Sequence, residues 1–246
     1  MDSFKMKIAG KVFEVQPMYE TTALYCRNYL TELEPEYQVF IQESDLIAEQ
    51  NFLDIEAREE GMKLRKFTAP FLERTAIQRK VAELLIHHDT LLLHGSTVAV
   101  DGGAYLFTAA CGTGKSTHTR LWREYFGARA VMVNDDKPFL QLDERGVIAH
   151  GCPWSGKHGL DTNISVPLKG ICILKRGNEN RIRRITASEA SPMLHHQCFY
   201  PEDVSKHDHV AACVEELMRR VTLWEMECTK DLQAAEVAYE AMSHAE

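Results

Sequence analysis

The sequence Ala109-Ala110-Cys111-Gly112-Thr113-Gly114-Lys115-Ser116-Thr117 has the glycine spacing and the Lys-Ser ending of a phosphate-binding P-loop. Gly112 and Gly114 allow backbone N–H groups to curve around phosphate oxygens, and the helix predicted for Lys115–Phe126 points its N-terminus toward them. We expect Lys115 to neutralise the β- and γ-phosphates of ATP and the Ser116 hydroxyl to bind Mg²⁺. The predicted nucleotide-binding residues are Cys111, Gly112, Thr113, Gly114, Lys115, Ser116 and Thr117.

The residues around this loop predict the element order of a nucleotide-binding core. Leu91–Val100 and Ala104–Thr108 are apolar runs joined by a glycine-containing turn, and they predict a β-hairpin whose second strand enters the loop. After the helix, the apolar run Ala128–Val133 ends in Asn134-Asp135-Asp136, as a metal-binding strand should. Ala109 stands where the strict motif has glycine, but this context indicates a true nucleotide site.

Three motifs together resemble the nucleotide-binding core of HPr kinase/phosphorylase and ATP-dependent phosphoenolpyruvate carboxykinase. They are His94-Gly95, the loop Gly112–Thr117, and Asp135-Asp136 on the strand directly after the P-loop helix. In most other P-loop proteins the carboxylate strand lies far from the loop along the chain. The resemblance implies an α/β fold with a mixed β-sheet P-loop core and flanking helices, preceded by a small N-terminal α+β segment.

The same resemblance implies a role for each matching residue. Lys115 and Ser116 would hold phosphates and metal, and Asp135 would bind the metal. Asp136 would act on the incoming hydroxyl as a general base or as a ligand of a second metal ion. His94 would lie close to the transferring phosphoryl group, or else be hydrogen-bonded beneath the loop. The implied activity is Mg²⁺-dependent transfer of the γ-phosphoryl group of ATP to a serine-type hydroxyl on a peptide, carrier protein or small metabolite.

A second unusual segment, Gly151–Gly159, combines glycines, a proline, an aromatic ring and cations, which predicts a shaped loop. Lys157 is a candidate catalytic residue that would neutralise charge on the transferring phosphoryl group. Trp154 would either stack on a base or substrate, or fill the core. Arg176, at the end of a predicted core strand, is either a phosphate contact or a solvated strand end. The segment matches no kinase or carboxykinase motif, so the sequence leaves the acceptor open.

Histidines and cysteines also gather in the C-terminal part of the chain. They have the chemistry of metal ligands but lack the spacing of a structural zinc site, so we predict exposed histidines on interrupted helices. We likewise predict a solvated helix end for His87-His88-Asp89. The C-terminal residues concerned are His195, His196, Cys198, His207, His209 and Cys213.

Composition limits the classes of function. The chain has 246 residues, of which 45% are hydrophobic, and a net charge of −8. Such an acidic balance argues against nucleic-acid and anionic-membrane partners, which require a basic surface. The N-terminus lacks an apolar signal core, and the seven cysteines are scattered without a Cys-x-x-Cys pair. We therefore expect a cytoplasmic enzyme with reduced thiols.

Two regions are predicted, a small α+β segment over 1–70 and a kinase-like P-loop core over 71–246. The boundary lies near Pro70, which biases its predecessor away from helix, and a helix is predicted for Phe71–His88. The first region resembles a lid or a dimerisation element in length, which leaves homo-oligomerisation open.

Two other functions remain open. A carboxykinase-like reaction is disfavoured because the chain is short for the large domain that such enzymes place before the core. A non-catalytic ATP-binding regulatory module is disfavoured because binding alone does not need a second carboxylate beside Asp135.

Overall fold

The computed structural model describes residues 2–59 and 61–244, whose helices and strands fall into two units, 1–84 and 85–246. The helices are α1 (Thr21–Tyr25), α2 (Glu43–Glu59), α3 (Ala69–Leu85), α4 (Lys115–Phe126), α5 (Ala187–Gln197), α6 (His207–Arg220) and α7 (Gln233–Ser243). The strands are β1 (Phe4–Ile8), β2 (Lys11–Gln16), β3 (Tyr37–Phe40), β4 (Thr90–Leu92), β5 (Ser96–Val100), β6 (Gly103–Thr108), β7 (Ala130–Asn134), β8 (Phe139–Asp143), β9 (Gly146–His150), β10 (Ser165–Arg176), β11 (Arg181–Arg184) and β12 (Thr222–Cys228). The predicted α/β fold class, a mixed sheet with flanking helices, is confirmed.

The first unit is a small three-stranded sheet with helices. Strands β1 and β2 form a hairpin whose turn residues Ala9 and Gly10 take φ angles of 47° and 80°, and β3 pairs with β2 in parallel. Helices α2 and α3 are joined by Glu49, which is buried and accepts hydrogen bonds of 2.8 and 3.0 Å from the Arg79 guanidinium. Since a buried carboxylate must be paired, this contact fixes the two helices to each other.

The second unit is built on a mixed sheet whose strand order, within the described residues, is β4-β8-β9-β10-β6-β5-β7. Strand β12 pairs in parallel with the second half of β10 and carries β11 at its outer edge. Strand β6 runs parallel to β10, and β5 runs antiparallel to both β6 and β7. The carboxyl ends of β6, β7 and β10 therefore meet at one edge of the sheet, where the P-loop begins.

Helices cover both faces of this sheet. Along β10, Ile171 and Ile173 pack into a core with α5 and α6, whereas Cys172 and Leu174 pack into a second core with α4 and α7. This alternation follows from the two-residue side-chain period of a strand. A continuous apolar run such as Gly170–Leu174 is typical of a strand that is buried on both faces. The P-loop helix α4 is therefore held against the sheet.

One predicted strand is broken in the structure. The run Leu91–Val100 was expected to be a single hairpin strand, but it forms β4 and β5, which pair with β8 and β6 respectively. The interruption lies at His94-Gly95, whose backbone N–H groups donate to the carbonyls of Gln197 and Asp136, both at 2.8 Å. These carbonyls lie outside both strands, so the chain leaves the sheet at His94 and turns toward the acidic pair.

The predicted helix over Phe71–His88 is confirmed as α3 followed by a 3₁₀ turn at Ile86–His88. The division of the chain into a segment 1–70 and a core 71–246 stays a prediction. No helix in the described part of the chain has the length and apolar character required to cross a membrane.

The Trp122 indole anchors α4, and its removal is expected to destabilise the protein. The ring is fully buried and lies 4.9 Å from Tyr105, 5.2 Å from Phe107 and 5.7 Å from Tyr239, measured between ring centroids. We expect Trp122→Ala to lower the free energy of unfolding by about 3–5 kcal/mol because it leaves a cavity among these rings.

The matched control is Tyr125→Ala, because Tyr125 lies on the same helix but is exposed. Its effect should be less than about 1 kcal/mol. Urea denaturation followed by circular dichroism compares the two variants, and equal losses would show that the Trp122 ring does not anchor α4.

Candidate functional site

Residues 109–114 of the predicted P-loop join the end of β6 to the start of α4. Gly112 and Gly114 have φ angles of 71° and 128°, in the region that favours glycine. A Cβ atom placed on Gly112 would have no described atom within 4 Å, so the space above the loop is open. Among the described residues, no side chain caps the N-terminus of α4 at Gly114. A helix N-terminus without a side-chain cap, behind an open glycine loop, is suited to bind phosphate.

Two cations contact the backbone of this loop. The Lys115 ammonium donates to the carbonyl of Ala109 at 3.1 Å, so its side chain folds back along the loop. The Arg176 guanidinium, at the end of β10, donates to the carbonyl of Gly112 at 2.5 Å. The Arg176 side chain is exposed and contacts this loop, and its role as a phosphate contact stays a prediction.

Asp135 lies at the end of β7 and is connected to the P-loop helix. Its side chain is 6% exposed, and it accepts a 2.6 Å hydrogen bond from the Ser96 hydroxyl. The Ser96 hydroxyl also lies 2.7 Å from that of Thr119, which is one helical turn after Ser116. This chain of contacts connects the carboxylate to Thr119, in the second turn of α4. Oxygen donors from a carboxylate and a hydroxyl form the set that Mg²⁺ prefers, so the residues present fit the predicted metal.

His94 and Asp136 lie side by side. The His94 Nε2 atom is 3.5 Å from an oxygen of Asp136. Burial, with smaller contributions from Lys115 and Lys137, lowers the pKa of His94 to about 3. The imidazole is therefore neutral at pH 7, and its contact with Asp136 is not an ion pair.

Glycine at position 95 is required by close packing rather than by its φ angle. A Cβ atom there would lie 3.0 Å from the Leu106 side chain and 3.1 Å from the Phe107 carbonyl. The His-Gly motif thus lets the chain cross tightly over β6, which brings His94 to the P-loop.

The Asn134 side chain connects the acidic pair to the shaped loop Gly151–Gly159. Asn134 is fully buried, and its amide nitrogen donates to the carbonyls of Cys152 at 3.0 Å and Trp154 at 3.2 Å. Its amide oxygen accepts from the backbone N–H groups of Asp136 at 2.9 Å and Lys137 at 2.7 Å. One side chain therefore sets the position of both segments.

The shaped loop packs directly against Asp136. Gly156 has a φ angle of 69°, and a Cβ atom there would lie 3.1 Å from the Asp136 Cβ atom. Position 151 has no space for a side chain, because a Cβ atom there would lie 1.8 Å from the Thr162 carbonyl oxygen. Lys157 follows Gly156 in the sequence, and its side chain is exposed.

Trp154 fills the core and is not placed to stack on a base or substrate. The ring is only 4% exposed, so it fills the core beneath the loop instead of presenting a face to a base or substrate. Its carbonyl, held by Asn134, is what contributes to the site.

The structure places the predicted residues around one sheet edge, and their catalytic, nucleotide-binding and metal-binding roles stay predictions. Cys111 is exposed on the loop, while Thr113 and Thr117 are half-buried. Sequence reasoning missed Ser96, Thr119 and the linking role of Asn134. Thr119 could have been identified because it lies three residues after Ser116 on one helix face. Ser96 directly follows the His-Gly motif, but its contact with Asp135 depends on the pairing of β5 with β7.

Replacing Asn134 by aspartate tests this link. The Asn134→Asp variant keeps the oxygen acceptor but places a carboxylate oxygen against two carbonyls that now receive hydrogen bonds. We expect a loss of about 2–3 kcal/mol in stability and faster hydrogen exchange in residues 151–160. Asn178→Asp, at an exposed turn, is the matched control and should change neither. Unchanged exchange in the Asn134 variant would contradict the link.

A family model described as SynChlorMet cassette protein ScmC matches residues 70–200, which is more than half of the chain. The match spans the P-loop, the acidic pair and the shaped loop. A search of curated proteins found no match. Among solved structures, the HPr(Ser) kinase/phosphatase from Coxiella burnetii is similar over 52% of this chain and 93% of its own, at 14% identity and a TM-score of 0.30. This distant likeness leaves the function to be argued from the site.

Proposed function

The chain belongs to the ScmC family of SynChlorMet cassette proteins, and we propose that it is an ATP- and Mg²⁺-dependent phosphotransferase. In this proposal it moves the γ-phosphoryl group to an acceptor hydroxyl. The observation that supports this most is the place of Asp136, which lies beside His94 and against Gly156 of the shaped loop. A protein that only bound ATP would not need this second carboxylate facing a loop suited to an acceptor.

Nucleotide binding would use the loop and its cations. Lys115 would exchange its contact with the Ala109 carbonyl for the β- and γ-phosphates, and the amides at the start of α4 would donate to phosphate oxygens. Ser116 and Asp135 would hold Mg²⁺, which when bound neutralises charge on the phosphates and orients them. Arg176 adds a cation at the loop.

Transfer would place the acceptor hydroxyl between Asp136 and the γ-phosphorus. Asp136 would orient the hydroxyl and accept its proton as the new oxygen–phosphorus bond forms and the bond to the β-γ bridging oxygen breaks, which releases ADP. Lys115 and Lys157 would neutralise the negative charge in the transition state. His94, being neutral, would serve as a hydrogen-bonding partner rather than as a cation.

The acceptor is proposed to be a serine-type hydroxyl, in a peptide, a carrier protein or a small metabolite. It would lie against the Gly151–Gly159 loop, which Asn134 holds beside Asp136. Exposed Lys157 would favour an acceptor that carries negative charge near its hydroxyl.

Two substitutions separate transfer from binding. Asp136→Asn should lower phosphoryl transfer about 100-fold or more while ATP binding is kept, because the base is lost and the loop is intact. Lys115→Ala should weaken both, because the phosphates lose their main cation. The measurements are ATP binding by calorimetry and transfer of labelled phosphate to a pool of serine-containing peptides and hydroxylated metabolites.

Asp143→Asn and Lys230→Ala are controls of matched charge outside the site, and both should behave as the wild type. ATP binding that requires Lys115, without transfer to any acceptor, would favour a regulatory binding module. A wild-type protein that does not bind ATP would overturn the proposal.

Ser96→Ala tests how Asp135 is held. Loss of the 2.6 Å hydrogen bond should let the carboxylate move and weaken Mg²⁺ binding about 10-fold to 100-fold, as expected for a group that orients a metal ligand. The measurement is the Mg²⁺ dependence of ATP binding. Ser188→Ala, on the first turn of α5, is the control, and an unchanged Mg²⁺ dependence in Ser96→Ala would show that Asp135 needs no such support.

A further inference from the structure

Three potential metal ligands of different chemistry meet away from the P-loop. They are the carboxylate of Asp89, the imidazole of His209 and the thiol of Cys213, and their ligand atoms all lie within 4.8 Å of one another. Asp89 directly precedes β4, whereas His209 and Cys213 lie on α6. The sequence predicted a solvated helix end for His87-His88-Asp89 and exposed histidines on the C-terminal helices. It did not predict that Asp89 lies beside His209 and Cys213.

The distances within this triangle suit a tetrahedral ion. His209 Nε2 lies 3.0 Å from Asp89 Oδ1 and 3.6 Å from Cys213 Sγ, and Sγ lies 3.7 Å from Oδ1. Ligand bonds of about 2.0–2.3 Å at a tetrahedral angle give separations of about 3.3–3.6 Å between oxygen, nitrogen and sulfur donors. An ion therefore fits with shifts of only a few tenths of an ångström.

The three ligands are held in place before any ion binds. His209 and Cys213 are four residues apart, which places them on one face of α6. That helix is anchored by fully buried Val210 and Val214. Asp89 has its N–H bonded to the Ile86 carbonyl and its carbonyl bonded to the Leu142 N–H, both at 3.0 Å. Little conformational freedom would be lost on binding.

We propose that Asp89, His209 and Cys213 form a binding site for a zinc-type divalent cation. A thiolate and an imidazole favour zinc over Mg²⁺, which takes oxygen ligands such as those near the P-loop. Cys213 is buried beneath, while Asp89 and His209 are exposed, so the fourth ligand position opens to solvent. Three protein ligands with an open position allow water or an external group to complete the coordination.

Binding requires two proton rearrangements. Burial raises the pKa of the Cys213 thiol to about 12, so without an ion it is protonated, and its proton must leave to solvent as the sulfur–metal bond forms. The His209 Nε2 atom also lies 3.2 Å from the Ile86 carbonyl, and metal binding through Nε2 places any proton of the neutral imidazole on Nδ1. The bound ion would then join α6 to Asp89, the residue before β4, and β4 leads to His94.

Cobalt provides the direct test, because a thiolate bound to Co²⁺ gives a charge-transfer absorption band in the near ultraviolet. Full-length protein stripped with a chelator is titrated with Co²⁺ and then with Zn²⁺. We expect the band to saturate at one equivalent and to disappear as zinc displaces cobalt. Zn²⁺ at about 100 times its dissociation constant should raise the melting temperature by about 5–10 °C.

Variants assign the ligands. Cys213→Ser should abolish the band, and Asp89→Asn and His209→Gln should weaken zinc binding about 100-fold and remove the thermal shift. Asp89→Asn keeps the backbone conformation, since asparagine tolerates the φ angle of 49° at this position. Cys228→Ser and His207→Gln are the matched controls and should keep both signals.

A wild-type protein without the band, a band that survives in Cys213→Ser, or one that is lost in Cys228→Ser would overturn the assignment. A thermal shift unchanged in Asp89→Asn would do the same. None of these measurements depends on nucleotide turnover, so they succeed or fail independently of the phosphotransferase.

Discussion

The buried amide of Asn134 constrains two segments of the candidate site at once. Because it is fully buried, each of its polar atoms needs a partner, and it finds them in two segments that are distant in sequence. Its nitrogen fixes the carbonyls of the shaped loop, and its oxygen fixes the amides that follow the acidic strand end. Asp136 and the loop that contacts it therefore cannot move independently. The proposed phosphoryl transfer would require such mutual positioning of its acceptor and Asp136.

The sheet provides the rest of the geometry. Strands β6, β7 and β10 end at one edge, and they deliver the P-loop, the acidic pair and Arg176 to the same place. Helices on both faces bury these strands, so the segments that follow them start from a rigid base. The break between β4 and β5 at His94-Gly95 adds the imidazole from the other side. Partial burial beside Lys115 keeps that imidazole neutral, which suits it to hydrogen bonding near phosphate.

The two metal sites proposed for the second unit would have contrasting chemistry. Ser116 and Asp135 would offer hard oxygen donors beside the predicted P-loop, whereas His209 and Cys213 would offer nitrogen and sulfur on a helix. Because the donor types differ, zinc would bind at His209 and Cys213, and magnesium would bind at Ser116 and Asp135. Strand β4 lies between Asp89 of the proposed zinc site and His94, which lies beside Asp136.

The sequence by itself determined the elements whose signals are local. These are the glycines with positive φ in the P-loop, the apolar runs that form buried strands, the acidic strand end and the amphipathic helix α3. It did not reveal that Leu91–Val100 divides between two strand partners, because an apolar run does not specify its pairing. The sequence also did not decide whether the Trp154 ring stacks on a ligand or fills the core, and the burial of the ring in the structure decides it. The contacts of Ser96, Asn134 and the Asp89–His209–Cys213 triangle join residues far apart in the chain. Those contacts depend on strand order and helix packing, and only the tertiary structure specifies these.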